Sequence, residues 1–259
     1  MQPVLFEIFG VKIYSYGVMV ALGFLLALWL GIVRAKKEGI KASHVIDLSF
    51  YVLLAGIFGA KIILFFNRPG YYLKSFKNFW SLMRSGGVII GGLVLAVIVA
   101  AIYLKKHKLD TLKVLDIAAP SVALGQAVGR IGCFLAGCCY GKTCDLPWAV
   151  TFTNPAAREN VGTPLNIPLH PTELYHSLTN WLIFIFLTWY YPKRKYKGQV
   201  FLLWVLLYSV TRFIIEFFRG DVSRITIGGP LSDAQYLAIL GAAVSTFFLV
   251  KKKKEIDKE

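Results

Sequence analysis

Seven apolar stretches, each broken off by charge, constrain this chain more than anything else in it. They run from near Tyr16 to Val33, Val45 to Phe66, Val88 to Leu104, about Leu112 to Gly137, Leu174 to Tyr191, Val200 to Phe218 and Ala234 to Val250. Crossing a bilayer takes about 17–25 predominantly apolar residues in a helix, since the backbone finds no water there and must satisfy its polar groups internally. The expected fold is an all-α integral membrane protein of seven transmembrane helices, a single membrane domain over residues 1–259. At 56% hydrophobic residues the chain exceeds the roughly 45–50% of soluble domains. The first run follows a polar, mixed-charge start with no basic leader, so no cleavable signal is expected.

The net charge of +15 would, on a soluble fold, point to nucleic acid. Here Lys and Arg sit between apolar runs, so no nucleic-acid partner is expected and the charge reports orientation in the bilayer. RAKKEGIK at 34–41, KKHK at 105–108, KRKYK at 193–197 and the basic tail 251–259 carry sixteen of the cations. The alternate side carries nine: Lys12, Arg68, Lys74, Lys77, Arg84, Lys142, Arg158, Arg219 and Arg224. The first set is then cytoplasmic, with the N-terminus outside and the C-terminus inside.

Two outer segments are longer than turns. Residues 67–87 interleave Tyr71, Tyr72, Phe76, Phe79 and Trp80 with Lys74, Lys77 and Arg84, the composition of an interfacial amphipathic helix. Residues 138–171 hold Pro147, Pro155, Pro164, Pro168 and Pro171 with no helical period and read as a small extracytoplasmic cap of turns and short strands.

Chemistry concentrates in GRIGCFLAGCCYGK, Gly129 to Lys142. An arginine near the end of a spanning segment is costly to desolvate and meets an anion in a protein-lined cavity, or else snorkels to the interface. Arg130 is the first candidate. Gly129, Gly132, Gly137 and Gly141 allow close approach of a neighbouring helix or a lipid head group. The sixth run ends TRFIIEFFRGD, which puts Arg212, Glu216 and Arg219 on one helical face. Glu216 neutralises at most one arginine, and a lipid phosphate suits the remaining charge because guanidinium forks onto phosphate oxygens. His170 in HPTELY stands at the same face, either as a proton acceptor or as a helix cap, and Tyr16 is ordinary for an interfacial belt. His44, His107 and His176 do not compete with it.

All four cysteines, Cys133, Cys138, Cys139 and Cys144, fall within twelve residues, too local for a fold-wide disulfide framework. They are small core residues, or a disulfide from Cys138 or Cys139 to Cys144, or a redox or metal site. The spacing C-x4-CC-x4-C matches no defined zinc pattern, so no metal or other cofactor is expected.

Taken in order, YSYGVMVALGFLLALWL, RSGGVIIGGLVLAVIVA, GRIGCFLAGCCYGK, HPTELY and TRFIIEFFRGD resemble the bacterial phosphatidylglycerol–prolipoprotein diacylglyceryl transferase family over nearly the whole chain. The resemblance implies a plasma-membrane enzyme that moves a diacylglyceryl unit from phosphatidylglycerol to the lipobox cysteine of a prolipoprotein signal peptide, forming a thioether and releasing glycerol phosphate. It assigns essential roles to Arg130 and Arg212, places the family's first-helix tyrosine on Tyr16, and matches Glu216 and Arg219, with phosphatidylglycerol bound by Arg130, Arg212, Glu216, Arg219 and Gly132. This chain departs from the family at Cys133, Ala136 and Cys138, where the motif has polar residues, and at Ile90, where the family has a histidine. His170 is then the remaining histidine on the right face to act as thiol base. The alternative is a paralogue that binds anionic lipid and uses its cysteines for thiol–disulfide exchange, or simply binds lipid.

Overall fold

The computed structural model describes residues 2–8, 10–84, 87, 89–221 and 231–256. Val88, where the third span was expected to begin, Arg224 of the outer basic set, residues 85–86 of the interfacial segment and 257–259 of the tail lie outside the described residues.

Ten α-helices and two two-stranded sheets appear among the described residues. An antiparallel hairpin, β1 (Val4–Ile8) and β2 (Val11–Tyr14), precedes α1 (Ser15–Lys37). Then follow α2 (Ala42–Asn67), α3 (Pro69–Leu73), α4 (Phe76–Arg84), α5 (Ile89–Lys106) and α6 (Thr111–Ala136). The expected cap contains β3 (Val150–Thr151), α7 (Pro155–Val161) and β4 (Pro168–Leu169), and the chain closes with α8 (Thr172–Tyr190), α9 (Gln199–Glu216) and α10 (Asp233–Ile256). The protein is all-α apart from these short strands. Five helices, α1, α2, α6, α9 and α10, are long and apolar enough to cross a membrane. α8 is less apolar because Thr172, Glu173, His176, Ser177 and Asn180 line its buried face.

The chain forms two compact units, one of Met1–Leu30 with Leu115–Glu259 and one of Gly31–Val114. In the second, α2 and α5 cross on glycine: a Cβ added at Gly59 would lie 2.4 Å from the Gly91 carbonyl oxygen, and one at Gly92 would lie 2.6 Å from that of Gly56. Such backbone-to-backbone approach replaces hydrophobic exclusion as the packing force where the solvent is itself apolar. Lys61 donates to the Leu82 carbonyl at 2.9 Å and so ties α4 to α2.

In the first unit, Ala119 and Ala123 of α6, Ile183 and Leu187 of α8 and Val200 of α9 form a buried cluster. Gly23 of α1 meets α6 at Gly125, where an added Cβ would stand 2.8 Å from the carbonyl oxygen. Ser177 donates to the Ala127 carbonyl at 2.8 Å. At its start α6 supplies a cap to another helix. The fully buried Asp116 carboxylate accepts from the Gly198 amide at 2.7 Å and the Phe201 amide at 2.9 Å, with Arg194 at 3.8 Å. It thereby satisfies orphan donors at the N-terminus of α9 and opposes the positive end of that helix dipole.

Candidate active site

The far end of α6 is shaped by its terminus. Gly137 takes φ +81°, its amide bonds the Phe134 carbonyl at 3.2 Å, and the Cys138 amide bonds the Cys133 carbonyl at 3.1 Å. This is a Schellman ending, in which a left-handed residue lets the chain turn back over the last helical turn. Two residues on, Cys139 takes φ +67°. For a residue with a Cβ, that region costs on the order of 1–3 kcal/mol and persists only where the surroundings hold it. Thr172 at the start of α8 holds it here, donating to the Cys139 carbonyl at 2.6 Å. The double reversal gathers the sulfurs of Cys133, Cys138 and Cys139 within 4.8 Å of one another.

All four cysteines are free. Cys144 goes elsewhere, its amide bonded to the Pro168 carbonyl at 3.1 Å, so the sulfurs that cluster are not the pairs expected to bridge. The Cys139 thiol is held below its ordinary range, first by hydrogen bonds from Cys133 and Cys138 and then by the Arg219 and Arg130 charges. The Cys138 thiol is pushed up, chiefly by its hydrogen bonds to the other two.

Three guanidinium groups converge beside the sulfurs, each held differently. Arg212 pairs with Glu216 at 2.9 Å on one side and lies 3.0 Å from His176 Nε2 on the other. Arginine has only donors, so His176 Nε2 accepts and carries no proton in this arrangement. Glu216, 3% exposed, also accepts from Ser232 Oγ at 2.9 Å and has Arg219 Nε at 4.0 Å. Arg219 forks onto Asp221, with Nε at 2.9 Å from Oδ1 and Nη2 on Oδ2. Burial works against the Arg219 charge, but the Asp221 carboxylate more than offsets it and raises its pKa. Arg130, one turn before Cys133, has no hydrogen bond or ion pair among the described residues. It lies in electrostatic range of Cys133, Cys139 and Arg219, and His176 feels all three arginines. A half-buried cation with no carboxylate partner among the described residues, beside two cations already fixed in place, is an arrangement suited to an anion.

The remaining expected residues fall as follows. Tyr16, on the first turn of α1, is in electrostatic range of the three clustered sulfurs and Arg130. Gly132 packs against the same turn: an added Cβ would stand 2.8 Å from Met19 Cβ and 3.3 Å from the Tyr16 carbonyl. Among the described residues, the His170 side chain contacts Tyr175 and Phe218 rather than the arginines. Its Nδ1 lies 3.2 Å from Tyr175 Oη and its ring packs on Phe218 at 5.1 Å, while Trp148 donates to the same Tyr175 oxygen at 2.9 Å. Two residues at the site were passed over in the sequence. His176 holds Arg212, and Glu173, with no exposed surface, has neither carboxylate oxygen bonded to another residue among the described residues. Glu173 is in electrostatic range of Cys139, Arg219 and Arg130. The signal was the polar stripe Thr172, Glu173, His176, Ser177, Asn180, whose helical spacing gives a largely apolar helix one wet or bonded face.

The segment after the cysteines is paired on both sides. The Gly141 amide bonds the His170 carbonyl at 3.0 Å, the His170 amide bonds that of Lys142 at 2.9 Å, and the Lys142 amide bonds that of Phe218 at 2.8 Å. The Gly220 amide bonds the Tyr140 carbonyl at 3.1 Å. Gly141 has no room for a side chain, since an added Cβ would lie 2.4 Å from the His170 carbonyl oxygen and 2.8 Å from that of Phe218. In the expected cap, Thr163 donates to the Gly137 carbonyl at 2.7 Å and Phe152, fully buried, meets Phe134 with the rings tilted at 60°.

Residues 3–251 match the family described as prolipoprotein diacylglyceryl transferase. A protein of Clostridium tetani named phosphatidylglycerol–prolipoprotein diacylglyceryl transferase is 42% identical over 253 residues, covering 95% of this chain and 96% of the relative. Proteins of the same name from Finegoldia magna and Clostridioides difficile are 34% and 31% identical, covering 100% and 98% of this chain and 98% of each relative.

Proposed function

Because this chain belongs to the prolipoprotein diacylglyceryl transferase family, we propose that it transfers the diacylglyceryl group of phosphatidylglycerol to the lipobox cysteine of a prolipoprotein signal peptide. The cysteine sulfur attacks the glyceryl carbon bonded to the phosphate oxygen. A C–S bond forms, the C–O bond breaks, and its electron pair leaves on glycerol phosphate while the thiol proton passes to a base. Charge therefore grows on phosphate oxygens, and cations already aimed at them lower the barrier without reorganising.

The observation that carries this reading is Arg130, a guanidinium with no bonded partner among the described residues, in electrostatic range of Arg212, which Glu216 and His176 fix in place. Arg130 and Arg212 take the phosphate. Arg219 and Glu216 set the field around them, Gly132 keeps α1 close, and Tyr16 lines the approach from α1. His170 is assigned the thiol proton from the mouth of the site.

The same reading makes α5 and α8 the remaining two of seven spans in one plasma-membrane domain, with the N-terminus outside and the basic C-terminus cytoplasmic, as the uneven loop charge favours. Residues 138–171 then cap the site on the outer face. Helices α3 and α4, which expose Tyr71, Leu73, Phe76 and Trp80, rest in the head-group layer.

The test is radiolabelled phosphatidylglycerol with a lipobox peptide. Peptide lipidation with release of glycerol phosphate is expected. Absence of both, under conditions where a relative from the family turns over, overturns the assignment.

A further inference from the structure

The sulfurs of Cys133, Cys138 and Cys139 are not needed to hold a phosphate, yet the chain adopts left-handed backbone at both Gly137 and Cys139 to assemble them. We propose that these three cysteines form a thiolate site for a soft metal ion, zinc in the first instance, with the Glu173 carboxylate as fourth donor. Zinc binds thiolate sulfur at about 2.3 Å on a tetrahedron, which sets sulfurs about 3.8 Å apart. The three here lie within 4.8 Å of one another, so small side-chain rotations close the set around an ion.

Glu173 is the independent sign of a ligand. It has no exposed surface, and neither of its oxygens has a partner elsewhere among the described residues. A buried carboxylate in that condition is among the costliest groups a fold can carry unless something positive sits against it. Its neighbour Thr172 is bonded to the Cys139 carbonyl at 2.6 Å, which brings the first turn of α8 onto the cysteine turn. Three thiolates and a carboxylate around a divalent ion carry two negative charges, and the surroundings are cationic: Arg130 and Arg219 both act on Cys139 and Glu173. Sulfur ligands select zinc or monovalent copper over magnesium or calcium. The sequence spacing gives no hint of this, because Cys138 and Cys139 are adjacent and only the reversal at Cys139 turns both sulfurs to Cys133.

Binding is read without turnover, so loss of the ion and loss of transfer are separable results. The purified full-length chain, reduced and freed of metal in detergent, is titrated with Co2+ as an optical probe for a zinc site. One equivalent is expected to raise a sulfur-to-cobalt charge-transfer band with the intense ligand-field absorption of a tetrahedral ion, and Zn2+ should abolish both. Cys133→Ser, Cys138→Ser and Cys139→Ser should each weaken Co2+ binding at least tenfold, and Cys144→Ser should leave it unchanged. Glu173→Gln should shift the ligand-field absorption while the charge-transfer band survives. A wild-type titration without a charge-transfer band overturns the site whatever the variants do. A band indifferent to the three substitutions, or lost with Cys144→Ser, overturns the ligand set, and identical ligand-field spectra in Glu173→Gln overturn the fourth donor.

Discussion

The two ends of α6 each carry a charge withdrawn from solvent, Asp116 wholly and Arg130 in part, and they treat it in opposite ways. At the start, Asp116 accepts from two backbone amides of α9 and faces Arg194, so every demand of the carboxylate is met by the protein. At the other end Arg130 has no bonded partner among the described residues and shares its surroundings with two more guanidiniums and three thiols. A charge that serves the fold is bonded by the fold. One that serves a ligand is oriented and left short of a counter-ion, and the difference is visible within a single helix.

The sharpest way to break this contrast is to exchange the consequences of the two ends. Arg130→Ala or Arg212→Ala should lower transfer by about 10²–10³-fold each, as removal of one preorganised donor does elsewhere; the thermal midpoint in detergent should change little for Arg130→Ala and fall for Arg212→Ala, which takes the 2.9 Å ion-pair partner from the buried Glu216 carboxylate. Arg212→Lys should recover little, since a point charge cannot span His176 and Glu216 as the fork does. Asp116→Ala should do the reverse: about 3 kcal/mol less stability by thermal unfolding, from stranding Arg194 and two buried amides, with near-normal turnover per folded molecule. If Asp116→Ala inactivates while leaving stability intact, the two ends are not different in kind.

Smaller effects sharpen the comparison. Gly141→Ala forces backbone apart and should cost about 1–3 kcal/mol together with most of the activity, measured on the same sample. Ser232→Ala removes a hydrogen bond to the buried Glu216 carboxylate. It should cost about 1.5–3 kcal/mol if that bond serves stability, and show instead as a raised KM if Glu216 chiefly sets the field at Arg212. His170→Ala should slow transfer at least tenfold if its imidazole takes the thiol proton. A smaller effect moves that role to another group, and the Tyr175 and Phe218 contacts then describe a packing histidine.

Most of the architecture was legible because the bilayer imposes a length on apolar runs. Each of the seven expected segments holds a helix among the described residues, five of them long and apolar enough to cross a membrane, and α1 runs on to Lys37 because Arg34, Lys36 and Lys37 favour the C-terminal end of a helix dipole. The hairpin β1–β2 and the helix α7 were not expected. For α7 the signals existed: Asn154 caps it by accepting from the Ala156 amide at 3.0 Å, Pro155 opens it, and Gly162 closes it at φ +75°. Prolines there marked a helix start rather than an irregular loop. At the site, Arg130 and the Arg212–Glu216 pair could be read from charge inside an apolar run. His176 could not be, as long as it was weighed singly and not as one member of a polar face. The gathering of three sulfurs was beyond reach, because it depends on a backbone sign at Cys139 that residue identity does not announce.

The two-sided pairing of residues 140–142 carries a last consequence. Those residues are laced by main-chain bonds to His170 on one flank and to Phe218 and Gly220 on the other, with no space at Gly141 for slack. Lifting that strap would drag the end of α9, and Arg219 with it. Movement of this segment and the placement of the Arg219 charge are therefore geared together.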